Sequence, residues 1–212
     1  MTQLIFVRHG YSKGNKEKRF SGQMDIALDE LGYRQATSVA HYILRNYQLD
    51  AIYSSDLCRA YDTVKPIADA LHLDVHQCKE LREVDVGEWQ GMLIEDVKKK
   101  YPDSFDLYRK KPGIARFDGG ESYSDMLARV LCAIEKIAKE NDGKTVVIGT
   151  HGGVIRVLRA VWTGIALDQI EVIPHVPNAS VSVFAYENGT AVPSLIGYCD
   201  YLDEKISEEA IK

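Results

Sequence analysis

Two short apolar runs each end in a histidine followed by glycine. Leu4-Ile5-Phe6-Val7 leads into Arg8-His9-Gly10, and Val146-Val147-Ile148-Gly149-Thr150 leads into His151-Gly152-Gly153. An imidazole can accept a phosphoryl group covalently and so split one difficult displacement into two easier ones. The phosphate needs several donors around its oxygens, from guanidinium forks, amide side chains and backbone N–H groups in glycine turns. Arg8, Gly10, Asn15, Ser21-Gly22 and Gly152 offer such groups, and Arg59, soon after Ser54-Ser55-Asp56, offers a second fork. Arginines beside His9 would also keep its ring uncharged, and therefore nucleophilic. A departing alkoxide then needs a proton. The stretch from Glu80 to Glu88 supplies Glu80, Glu83, Asp85 and Glu88, and residue type alone does not choose among them.

Each piece has a plain alternative. Arg8-His9-Gly10 can be a strand-end turn, His151 a helix cap, Arg59 a solvated helix residue and Glu83 a surface carboxylate. Their joint appearance at three successive strand ends favours a site, because open α/β sheets bind ligands at the carboxyl ends of their strands. His41 and His72 fall inside helical patterns and His76 at a strand end, so all three read as structural. His175, between Pro174 and Pro177, stays undecided.

The elements that must position these groups can be read from periodicity. Helical stripes run from Leu31 to Leu44 behind Asp29, from Leu57 to Leu71 behind Ser55-Asp56, and from Met126 to Ala138 behind the capping-box pattern Ser122-x-x-Asp125. Pro66 is expected to kink the second. A further helix is expected from Gly152 to Trp162. Strands are expected at Leu4–Arg8, Ala51–Ser54, Val146–Thr150 and Ser180–Tyr186, with weaker ones near Leu73–His76 and Ser194–Tyr198. Alternating strands and helices predict a three-layer α/β/α sandwich with a mostly parallel central sheet. Asn188-Gly189 reads as a hairpin turn, which makes one edge strand antiparallel. Tyr101–Gly120, rich in proline and glycine, reads as an irregular excursion able to cover a site.

Composition sets outer bounds. The 212 residues suit one domain, taken as 1–202, with a charged tail over 203–212. The net charge of −5 argues against a nucleic-acid or anionic-membrane binder. Lys13, Lys16, Lys18 and Arg19 form a local basic cluster that is either a solvated loop or a contribution to anion attraction. Cys58, Cys78, Cys132 and Cys199 are scattered and read as buried thiols rather than disulfides or a zinc site. No apolar run approaches membrane-spanning length and no signal peptide precedes the first strand, so a cytoplasmic location is expected.

The combined motifs resemble the histidine phosphatase superfamily, the phosphoglycerate-mutase-like proteins. They are Val7-Arg8-His9-Gly10, Asn15, Phe20-Ser21-Gly22, Leu28 to Ala36, Ser54 to Ala60, Leu81-Arg82-Glu83, Gly87 to Gly91, Gly119 to Ser122 and Thr150 to Gly153. The resemblance implies that His9 is the phosphorylated nucleophile, that Arg8, Arg59 and His151 line the phosphate pocket, and that Asn15 contacts the phosphate. It implies Glu83 as proton donor, Ser21 and Gly22 as a loop near the phosphate, and no metal or other cofactor. Tyr11 and Gly14 depart from the pattern of cofactor-dependent mutases, and their longer insertion is missing. The phosphatase branch is therefore favoured, where the Leu-Arg-Glu and Gly-Glu-Trp motifs resemble α-ribazole phosphatases and broad-specificity phosphatases. Trp89, Phe105, Tyr108 and Phe117 either line a hydrophobic entrance or belong to the core.

The expected activity is hydrolysis of a small phosphate monoester, with α-ribazole phosphate a candidate, by a monomer or homodimer. One alternative is mutase-type transfer to a second hydroxyl. The other is a non-catalytic phospho-ligand module, against which the presence of an acid counts.

Overall fold

In the computed structural model, which describes residues 1–202, six strands form one sheet. In chain order the elements are β1 (Thr2–Arg8), α1 (Lys13–Lys16), α2 (Glu30–Asn46), β2 (Ala51–Ser54), α3 (Cys58–Leu71), β3 (Val75–Gln77), α4 (Ile94–Lys100), α5 (Pro102–Lys110), α6 (Tyr123–Glu140), β4 (Thr145–Thr150), α7 (Gly152–Trp162), β5 (Val181–Glu187) and β6 (Thr190–Tyr198). The sheet order is β3-β2-β4-β1-β5-β6. β1, β2, β3 and β4 pair in parallel, whereas β5 runs against both of its neighbours. The expected sandwich is therefore present. The antiparallel strand is β5, one place in from the edge, and the Asn188-Gly189 hairpin joins it to edge strand β6.

Alternation along β1 divides the core. Leu4 and Phe6 face one side, with Val146, Ile148 and Phe184 and with Met126, Val130 and Ile134 of α6. Ile5 and Val7 face the other, with Val147 and Ile52 and with Val39, Ile43, Val64 and Ile67 of α2 and α3. All of these side chains are fully buried. Period-2 side chains sandwiched between helices on both faces make a strand apolar throughout. Truncating Phe6 to Ala costs about 3–5 kcal/mol by this account.

The helix starts follow their caps. The Asp29 side chain accepts from the Gly32 N–H at 3.0 Å, and Ser122 with Asp125 forms the expected capping box. Pro66 lies inside α3, which continues to Leu71. His72 stands just past that helix, as its left-handed C-cap.

Two expectations fail. Much of Tyr101–Gly120 is helical, because Pro102 occupies the first turn of α5, where a proline costs no hydrogen bond. The thiols are free but mostly not buried: Cys199 is buried, Cys132 is exposed, and Cys58 and Cys78 lie between. The predicted tail, 203–212, lies outside the described residues.

The sheet order creates the site. β4 inserts between β1 and β2, and all three end at the same edge of the sheet. Arg8 is in register with Thr150, so the next residues, His9 and His151, emerge side by side.

Candidate active site

A cleft of about 220 Å³ opens over these strand ends, and its lining includes Arg8, His9, Asn15, Arg59, Glu83 and Gly152. The His9 ring is buried, and its centroid lies 5.3 Å from that of His151. His9 Nδ1 is 2.7 Å from the Gly10 carbonyl, which can only accept. Nδ1 therefore carries the proton, and Nε2 keeps its lone pair. Burial first, then the charges of Arg59 and Arg8, hold His9 well below the usual histidine range, so the neutral ring is the resting form. His151 is lowered for the same reasons. Its Nε2 lies 2.9 Å from Ser55 Oγ, and its Nδ1 is buried without a partner among the described residues.

The arginines are anchored by backbone. Arg59 donates to the carbonyls of Gly22 and Met24, both at 2.8 Å, and Arg8 donates to that of Val176. Among the described residues, the Nε of each is buried without a hydrogen-bond partner, a donor available to a phosphate oxygen. The Asn15 carbonyl oxygen is taken by Ser12, which leaves its amide nitrogen as the available donor.

Glu83 is the carboxylate of the cleft. One oxygen accepts from the Val84 N–H and the other from the Gly153 N–H in the first turn of α7, both at 3.0 Å. A methyl group on Gly153 would come within 2.1 Å of the Glu83 carboxylate, so only glycine permits this contact. Glu80 reaches the Cys78 thiol, Asp85 caps Gly87, and Glu88 accepts from Tyr101. Of the four carboxyls left open by the sequence, Glu83 is the one in the cleft wall.

Comparison with known proteins identifies the family. The model of the Histidine phosphatase superfamily (branch 1) matches residues 4–197. The chain belongs to that superfamily. It is 37% identical over 169 residues to Phosphoserine phosphatase 1 of Hydrogenobacter thermophilus, covering 80% of each chain. The structure of Bacillus stearothermophilus YhfR superposes with a TM-score of 0.90 at 30% identity, over 95% of this chain and 99% of that one. An α-ribazole phosphatase from Shigella flexneri, at 21% identity and a TM-score of 0.82 over 92% and 96% of the two chains, shares the fold alone. Membership makes the chain a phosphatase.

Within this family frame, most of the expected site residues converge. Arg8, His9, Asn15, Ser21, Gly22, Arg59, Glu83 and Gly152 share the cleft wall, with His151 packed behind His9. Gly10 does not contribute a donor, because its N–H is already given to Thr63 Oγ1 at 2.9 Å. His151 does occupy the N-cap position of α7, yet its ring turns to Ser55 rather than capping the helix. Trp89 and Phe117 are core, Phe105 packs against them, and only Tyr108 of that group reaches the cleft. His175, undecided from sequence, is on the cleft wall.

One positioning group was missed. Arg129 of α6 spends all five N–H groups: on the carbonyls of Glu80, Arg82 and Glu83 and on both oxygens of Glu121. Glu121 in turn accepts from the Asp85 N–H. This clamp fixes the backbone that carries Glu83. A lone arginine on an amphipathic helix gives no sequence signal for such a role.

Proposed function

We propose that the protein is a metal-independent phosphomonoesterase acting through a phosphohistidine on His9. The observation that carries this is the His9 ring, with its proton on Nδ1 and Nε2 free, held neutral by burial and by the charges of Arg59 and Arg8. The phosphate of the ester enters among Arg8, Arg59, Asn15 and His151. His9 Nε2 attacks phosphorus; the P–O ester bond breaks as the P–N bond forms. Protonated Glu83 gives its proton to the departing oxygen. Water then attacks phosphorus, yields a proton to Glu83, and the P–N bond breaks to release phosphate. The arginines supply the positive field around the equatorial oxygens that a metal would otherwise supply, the main source of acceleration in phosphoryl transfer, and the neutral His151 ring adds a hydrogen-bonding edge.

The reading carries with it one catalytic domain over residues 1–202, working in the cytoplasm on small phosphate esters as a monomer or homodimer. Mutase-type transfer is not favoured by any contact in the cleft, and a mere binding module would need no acid at Glu83. Hydrolysis of an aryl phosphate in EDTA tests the proposal. Turnover should persist with the chelator and vanish in His9→Ala; the reverse of either result refutes it.

A further inference from the structure

Three neighbouring strands end at the same edge of the sheet, and the residue that follows β2 has no task in the reaction so far. Ser54 of β2 is in register with Gly149 of β4, so Ser55 leaves the sheet beside Thr150 and His151. Ser55 and His151 are both fully buried. The Ser55 N–H donates to the Gly149 carbonyl at 2.9 Å, and its own carbonyl accepts from Ser54 Oγ at 2.8 Å. Its hydroxyl oxygen accepts from the Leu57 N–H at 3.3 Å and lies 2.9 Å from His151 Nε2.

A hydroxyl has one proton to give. Among the described residues, Ser55 Oγ meets no acceptor besides His151 Nε2. If Nε2 carried the ring proton, two donors would point at Ser55 Oγ, and its own buried proton would stay unmatched at a cost in free energy. The matched arrangement has Ser55 donating to a bare Nε2. Burial and the nearby arginines keep the ring neutral, so its single proton then sits on Nδ1. Among the described residues that nitrogen is buried without a partner, as are the Nε atoms of Arg8 and Arg59. Arg8 Nε lies 3.2 Å from the point where a side chain on Gly152, the residue after His151, would begin. The ionised oxygens of a phosphate accept hydrogen bonds, so a protonated Nδ1 attracts them and a bare one repels them.

We propose that Ser55 is a positioning residue that fixes the tautomer of His151, so that the Nδ1–H of that ring donates to the phosphoryl group during transfer. This deepens the phosphomonoesterase reading and rests on it. The two histidines are then set for different tasks. His9 gives its Nδ1 proton to a carbonyl and keeps Nε2 bare for attack, whereas His151 has Nε2 filled by a hydroxyl and keeps Nδ1–H free for binding.

Long-range proton–nitrogen NMR of the histidine rings reads the tautomer without turnover. In the free enzyme and with orthovanadate bound, the wild type should carry the His151 proton on Nδ1, and Ser55→Ala should lose that preference. Ser55→Ala should also lower kcat/KM about tenfold, equally on p-nitrophenyl phosphate and on an alkyl phosphate, because the contact is to the phosphoryl group. Ser55→Thr, which keeps the hydroxyl, should recover most of the loss. His151→Asn, whose amide stands near the Nδ1 position, should be about tenfold more active than His151→Gln, whose amide reaches the Nε2 position. In the His151→Asn background, which has no tautomer to set, Ser55→Ala should change the rate by less than about twofold. A proton on His151 Nε2 in the wild type, or an unchanged kcat/KM in Ser55→Ala, overturns the role. Failure of the wild type to release phosphate from either ester would instead count against the phosphomonoesterase reading, while the NMR result still decides the tautomer.

Discussion

The two ends of the cleft are built differently. At the deep end, His9 and His151 leave adjacent parallel strands one residue beyond an in-register pair; His9 and Arg59 are held by backbone carbonyls, His151 and Asn15 by serine hydroxyls. At the outer end, Glu83 and His175 come from segments held by arginine-to-carbonyl clamps, and Tyr108 from the short helix α5. The contrast separates tasks. The rigid end suits the part of the reaction that every phosphate ester shares, while the clamped end suits the part that differs between leaving groups.

Substitutions should report that division. Arg59→Ala removes a buried fork from the shared end, so kcat/KM should fall by roughly 10²–10³-fold on aryl and alkyl phosphates alike. A loss confined to one class of ester would blur the distinction. Glu83→Gln acts on the departing oxygen. Alkyl phosphates should lose roughly 10²–10⁴-fold, whereas p-nitrophenyl phosphate, whose leaving group needs no proton, should lose far less. Arg129→Met and Gly153→Ala disturb only the placement of Glu83, and each should show the same dependence on the leaving group at about a tenth of the size or less. A uniform loss in these two variants would make their role merely structural.

The smallest effect concerns stability. His9 and His151 are held below the ordinary histidine value in the folded protein, so below about pH 6.5 the unfolded chain binds protons that the folded chain refuses. Stability is present above that pH and should decline as the pH falls from about 6.5 toward 5, before carboxylates with ordinary values titrate. Urea midpoints across this window check it. His151→Asn should flatten the slope, and an unchanged slope would mean that the rings are protonated in the folded state.

The deep end was legible in the sequence because its residues follow apolar runs that can only be buried strands. Arg8-His9-Gly10 and Thr150-His151-Gly152 each carry their own address, and alternation on β1 gave the layers. Gly10 shows the limit: its type suits a phosphate turn, but nothing local reveals that Thr63, on another helix, takes its N–H. The outer end was opaque for the same reason. Arg129 and Arg156 act across more than ten residues of sequence on bare carbonyls, which leave no pattern to detect. The Tyr101–Gly120 stretch was misjudged because proline density was taken as irregularity, when one proline starts a helix.

The central claim is that His9 becomes covalently phosphorylated during turnover. Mixing enzyme with a fast aryl phosphate substrate, quenching rapidly in alkali and mapping the digest by mass spectrometry tests this directly. The account predicts one phosphoryl group on the peptide containing His9, stable in base, lost in acid and missing from His9→Ala. Steady hydrolysis with that peptide unmodified under conditions of full turnover would contradict it.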